Sequence, residues 1–311
     1  VPANKDIVLP FEVKPLGVRG RVVRLGPVID DILSRHDYPP AVSALLAEAV
    51  TLAALLGSTL KFEGKFILQT KTDGPVAMLV ADFQSPSGVR GVARFDAARV
   101  TALGPSPTQP QLLGDGYLAM TVDQGADMDR YQGIVALGQG TLADAAHEYF
   151  LKSEQIPTRL KLAAGPLQLR GDRADHWRAG AILVQHLPRE GGFSAIPFSS
   201  GDAPPGSAEE LIEHDDWVKA KLLLDTVEPH ELLDPTLSAE DLLYRLYHED
   251  GVTVYPENVV ARHCTCSEAT VADMLRRFSE GDRADMVKDG AIEVVCEFCS
   301  TAYRFTPSQF A

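Results

Sequence analysis

The stretch AVSALLAEAVTLAALLGSTL, Ala41–Leu60, is followed five residues later by FILQTKTDGPVAMLVADFQSPSGVRGVARF, Phe66–Phe95. The first is apolar almost all round, which predicts a helix buried at the centre of a core. Ser43, Glu48 and Thr51 interrupt it, and it falls short of the roughly 20 apolar residues that span a bilayer. The second stretch alternates strand patterns with turn signals. Phe66–Lys71 is a strand, Asp73-Gly74-Pro75 a turn, and Val76–Phe83 a second strand. Ser85–Gly88 turns again into Val89–Phe95. A core helix that feeds a run of strands, without βαβ alternation, predicts an α+β fold.

The pattern extends outward on both sides. Val18–Leu25 is a basic, Val-rich strand candidate. Val28–Leu33 is a short helix ended by Asp37-Tyr38-Pro39-Pro40. Tyr117–Val122 and Tyr131–Leu137 form a hairpin pair. Thr141–Ser153 is amphipathic, with Leu142, Ala145, Ala146, Tyr149 and Phe150 on one face. Leu160–Ala163 and Ala179–His186 complete a mixed core domain over residues 1–186.

Composition then shifts, and residues 187–255 read as a helical linker. Gly191-Gly192 and Pro204-Pro205-Gly206 break the chain. Ser207 with Glu210 forms a capping box for a helix to about Leu224, and Ser238 caps another to Tyr247. Both helices are rich in Asp and Glu, so they have little stability alone and need a surface to pack on.

The 311 residues carry 29 basic and 43 acidic side chains, a net charge of -14. Phosphate neutralisation needs clustered Lys and Arg, so a nucleic-acid partner is not expected. An anionic membrane surface is disfavoured for the same reason. Val1–Pro10 lacks a basic segment followed by an apolar one, so a cytoplasmic location is expected. Four cysteines are too few for a disulfide scaffold.

Those cysteines form two short-spaced pairs. His263-Cys264-Thr265-Cys266 is separated by 29 residues from Cys296-Glu297-Phe298-Cys299. Two such pairs let four thiolates converge on one tetrahedral ion, so Cys264, Cys266, Cys296 and Cys299 are the expected ligands of one Zn2+. An iron–sulfur cluster uses the same ligand type. His263 adjoins the first pair and is an alternative ligand. The segment 256–311 is short, with a thin core, and metal binding supplies much of the folding free energy of such modules. The ion is therefore either a static staple or, because thiolates oxidise, a removable one.

These residues resemble the redox-regulated 33-kilodalton heat-shock chaperone family, and the resemblance covers nearly the whole chain. It includes Arg35-His36-Asp37-Tyr38-Pro39, Thr59-Leu60-Lys61-Phe62-Glu63-Gly64 and Arg90-Gly91-Val92-Ala93-Arg94. It continues through Arg130-Tyr131-Gln132-Gly133, Pro157-Thr158-Arg159, Leu246-Tyr247-His248-Glu249 and Cys264-Thr265-Cys266-Ser267. The resemblance implies an ATP-independent holdase of the oxidative-stress response. Its reduced form holds one zinc through the four cysteines and is inactive. Oxidation then forms local disulfides Cys264–Cys266 and Cys296–Cys299, releases zinc and destabilises the linker, about Leu187–Asn258. The exposed surface binds unfolding client proteins, and dimerisation accompanies activation. The residues around Arg262-His263 and Ser300 differ from those of the best-known members, which bears on zinc affinity and oxidation rate and not on the ligand set.

Two other classes compete. A zinc-ribbon nucleic-acid binder needs a basic stripe, but residues 256–311 hold six Lys or Arg against nine Asp or Glu. A thiol–disulfide oxidoreductase using Cys296 and Cys299 would place them at a helix N-terminus. No phosphate-binding Gly-x-x-x-x-Gly-Lys loop is present, so no nucleotide is expected. His36 with Asp37, and His147 with Glu148, lack a nucleophile motif beside them, so no enzymatic activity is expected.

Overall fold

The computed structural model describes residues 5–59, 64–124, 130–154, 156–168, 175–187 and 214–310. The chain opens with strands β1 (Ile7–Val13) and β2 (Val18–Leu25), then helices α1 (Pro27–Leu33) and α2 (Pro40–Gly57). Strands β3 (Lys65–Thr72), β4 (Val76–Gln84) and β5 (Gly88–Phe95) follow as a meander. Two short helices, α3 (Ala97–Ala102) and α4 (Gln109–Leu113), lead to β6 (Gly116–Asp123) and β7 (Tyr131–Leu137). Helix α5 (Leu142–Tyr149) precedes β8 (Thr158–Gln168) and β9 (Asp175–His186). The Thr141 capping box starts α5, and a wider helical turn over Phe150–Glu154 completes the helix expected to Ser153.

Helix α2 is the axis of the fold. Fourteen of its 18 residues are buried, because a six-stranded sheet packs on each side of it. By length and composition α2 could cross a membrane, but here protein surrounds it. One sheet runs β5-β4-β3-β6-β7, and the other runs β1-β2-β9-β8. Leu45, Leu46, Leu52 and Leu55 of α2 meet Leu68, Leu79 and Phe83 from the first sheet and Val23 and Leu183 from the second.

The second sheet is apolar on its far face as well. Leu9, Phe11, Val22, Ile182 and Val184 point away from α2 and would meet water if left bare. Three helices cover them: α6 (Asp215–Asp225), α7 (Pro229–Leu233) and α8 (Ala239–Tyr247). Trp217, Leu224, Leu232, Leu242, Leu243 and Tyr247 are their buried side chains. Phe11 stacks on Tyr247 with ring centroids 6.0 Å apart. Gly20 makes this possible, since a Cβ there would lie 2.3 Å from the Phe11 ring. The surface that the acidic helices were expected to need is this face. Ser238 caps α8 by accepting from the Asp241 N–H. His214 caps α6 in its described part, while Ser207, Glu210 and the Gly/Pro breaks lie outside the described residues.

After α8 the chain becomes a strap. Its strands are β10 (Thr253–Val254), β11 (Asn258–Val259) and β12 (Ala261–Arg262). The first two pair with β1, and the third runs parallel to β5 in the other sheet. The strap thus borders both sheets before entering the cysteine-bearing module. That module holds α9 (Glu268–Arg276), α10 (Glu280–Asp285) and the hairpin β13 (Ile292–Val295) and β14 (Ala302–Phe305).

Leu243 is fully buried between α8 and the sheet. Leu243→Ala is expected to cost about 2–5 kcal/mol by lost transfer energy and the cavity left behind. Urea denaturation of the reduced chain checks it.

Candidate metal centre

The cluster is assembled from two short segments of backbone. The chain leaves β12 at Arg262, and the His263 N–H donates to the Val89 carbonyl at 2.8 Å. Cys264 and Cys266 follow on an irregular segment, and Ser267 then caps α9 through the Thr270 N–H. Cys296 comes directly after β13, and Cys299 lies three residues before β14. Their turn is closed by two bonds: Ser300 N–H to the Cys296 carbonyl at 2.8 Å, and Cys296 N–H to the Thr301 carbonyl at 3.0 Å. Ser300 turns the chain at φ 53°, left-handed backbone that a non-glycine residue adopts at some cost.

All four sulfurs lie within 4.8 Å of one another. Cys264 Sγ is 3.3 Å from Cys266 Sγ and 3.7 Å from Cys296 Sγ, and Cys266 Sγ is 3.3 Å from Cys299 Sγ. A tetrahedron of Zn–S bonds of about 2.3 Å has edges of about 3.8 Å, so the donor set and its spacing fit that ion. The thiols are free, and these separations are well above the roughly 2.05 Å of a disulfide. His263 does not join the group; its Cβ packs against Gly88.

The sulfurs differ electrostatically. Burial pushes the Cys266 thiol up to about 12, against a hydrogen bond from the Tyr303 hydroxyl at 3.2 Å. Burial also raises Cys296. Burial acts upward on Cys299 too, but hydrogen bonds from the Thr301 hydroxyl and N–H, together with those shared with Cys266 and Cys296, outweigh it, and it falls to about 6. Tyr303 and Thr301 are contributors that spacing alone does not reveal. Tyr303 lies on β14 and Thr301 immediately before it, so both follow the second pair in the chain.

The module's own core is small: Val271, Leu275, Ile292 and Phe305. It also leans on the core domain. Arg94 of β5 pairs with both carboxylate oxygens of Glu297, at 2.6 and 2.8 Å, and the Arg90 guanidinium lies 4.0 Å above the Phe298 ring. The other histidine candidates serve as structural ties. His147 Nε2 accepts from the Leu160 N–H at 3.0 Å, and His36 stacks on Tyr38. Cys296 enters a turn from a strand, unlike the helix N-terminus that activates oxidoreductase thiols.

The sequence model of the family described as Hsp33 protein matches residues 6–306. The chain belongs to the Hsp33 family. A 33 kDa chaperonin of Caulobacter vibrioides is 44% identical over 306 residues, covering 97% of this chain and 95% of that protein. One of Sodalis glossinidius is 36% identical, covering 94% and 90%. The crystal structure of the 33 kDa chaperonin of Thermotoga maritima superposes with a TM-score of 0.77 over 99% of this chain and 96% of that one, at 22% identity. This Hsp33 chain therefore has that mixed helix-and-sheet fold, and it carries four cysteines positioned to bind a metal ion.

Metal binding displaces thiol protons, so affinity for zinc is expected to fall as pH falls. With Cys266 at about 12 and Cys299 at about 6, zinc binding at pH 7.5 should release fewer than four protons per ion. Calorimetry in buffers of different ionisation enthalpy measures the count.

Proposed function

We propose that this Hsp33 chain is a holdase chaperone, independent of ATP, that is gated by oxidation of its cysteine cluster. The observation that carries the reading is the apolar far face of the β1-β2-β9-β8 sheet, covered by α6–α8 and connected through the strap to Cys264. An apolar face of this kind, once bared, binds other chains that have lost their own cores.

In the reduced form, Cys264, Cys266, Cys296 and Cys299 hold one zinc. Structural zinc contributes about 10–16 kcal/mol in small zinc modules. The core of so small a module supplies about 3–5 kcal/mol at most. The metal term dominates, so a module that loses the ion unfolds. Oxidation removes the ligands. One peroxide converts a thiol to sulfenic acid and water; a second thiol displaces the hydroxyl, giving a disulfide and a second water. Two peroxides thus make two disulfides, assigned to Cys264–Cys266 and Cys296–Cys299 on the family resemblance. The 3.3 Å separation of Cys264 and Cys266 supports the first, although Cys266 is equally near Cys299.

Unfolding of the cysteine-bearing part of residues 256–311 frees the strap that leads into it. Its two-residue strand pairs have little stability of their own. The acidic linker, residues 187–255, then loses its anchor and uncovers Leu9, Phe11 and Val22 of the core domain, residues 1–186. Clients are unfolding proteins, the active form is a homodimer, and the compartment is the cytoplasm.

The test follows zinc, thiols and client aggregation together during peroxide treatment with mild heat. Zinc release and thiol loss should precede suppression of aggregation of a heat-denatured client, and peptide mapping should find the two local disulfides. Equal suppression by the reduced, zinc-loaded chain contradicts the gate.

A further inference from the structure

Asp31, near the end of α1, pairs with two arginines. Arg35 Nη2 lies 2.7 Å from its Oδ1. Arg262 Nε donates to its Oδ2, and Arg262 is the last residue of β12, two positions before Cys264. Arg35 in turn grips the other cysteine pair. Its Nη1 donates to the Cys299 carbonyl at 3.3 Å, and its own carbonyl accepts from Ser300 Oγ at 2.7 Å. His36 Nε2 lies 3.4 Å from the Phe298 carbonyl. One carboxylate of the core domain therefore ties down both halves of a cluster whose halves are 29 residues apart in sequence.

The groups gripped by Arg35 and His36 are main-chain or hydroxyl atoms of Phe298, Cys299 and Ser300. They converge only while the Ser300 N–H bonds the Cys296 carbonyl and keeps the turn closed. An opened turn presents them elsewhere. Docking on this side is thus a reading of turn geometry, and turn geometry is what four ligated sulfurs set.

We propose that Asp31 is a positioning residue that couples the core domain to the state of the cysteine cluster, through Arg262 to the first pair and Arg35 to the second. The proposal rests on reading the cysteines as the zinc site. Linkage then makes the coupling reciprocal. Whatever factor the closed cluster contributes to docking, the docked core contributes to metal affinity. Isolated, partly exposed ion pairs contribute little, but here three charged groups share one network that ends on backbone carbonyls.

The experiment is chelator competition for zinc in the full reduced chain, comparing wild type, Asp31→Asn, Arg262→Gln and the double variant. Each single variant should weaken zinc binding by about fivefold or more, the lower end of ordinary coupling. The double variant should bind no more weakly than Asp31→Asn, because one network is broken only once. The urea midpoint of the metal-free chain should be the same for wild type and Asp31→Asn, which separates coupling from a merely structural role. Affinities within about twofold of wild type overturn the proposal, and so do losses that add in the double variant. A wild-type chain that binds no zinc overturns the metal reading itself, and this proposal with it.

Discussion

Four sulfur atoms within 4.8 Å of one another stand at the centre of a module with four buried apolar side chains of its own. Two thiolates 3.3 Å apart repel by about 5 kcal/mol at an effective dielectric of ~20. The cluster therefore needs protons, a cation or covalent bonds between the sulfurs. Protons leave the knuckle without the force that closes it. A cation closes it, and the proposed disulfides within each pair would close the pairs separately and release one from the other. In the proposed gate, the rest of the molecule depends on which of these three holds.

The dependence runs through a physical path rather than through distance. Cys264 follows the strap, the strap borders both sheets, and the strap also follows α8, whose Leu242, Leu243 and Tyr247 cover the sheet. Every link in that path is weak by itself. The strap's strands are two residues long, and α6–α8 are short acidic helices. In the proposed gate, a row of weak links with one strong anchor opens from the anchored end. By contrast α2, buried between two sheets, has no such dependence.

Much of this was legible in the residues. Val18–Leu25 and Tyr131–Leu137 have the expected bounds, because clean alternation between turns specifies a strand locally. Helix α2 was legible from its all-round apolar surface, and α8 from the Ser238 cap. The cysteine cluster was legible from spacing, since metal geometry is repeated across unrelated chains. Strand β1 was not; it carries Pro10, which is tolerated inside a strand whose pairing is set by β2. The strap was not, because two-residue strands have no period and exist only by register with β1 and β5. Asp31, Thr301 and Tyr303 were missed for the same reason: their roles come from contacts across the fold. Arg35, His36, Arg90 and Arg94 appeared as motif residues without a role, and the structure sets them against the knuckle.

The central claim is that the metal-closed module holds the helical cover on the core. Hydrogen exchange across the full chain, before and after peroxide has removed the zinc, tests it most directly. The account predicts that residues 215–262 and the cysteine module lose protection while α2 and strands β3–β6 keep theirs. Protection of α6–α8 that persists after the zinc has left would contradict it, as would loss of protection in α2 together with the cover.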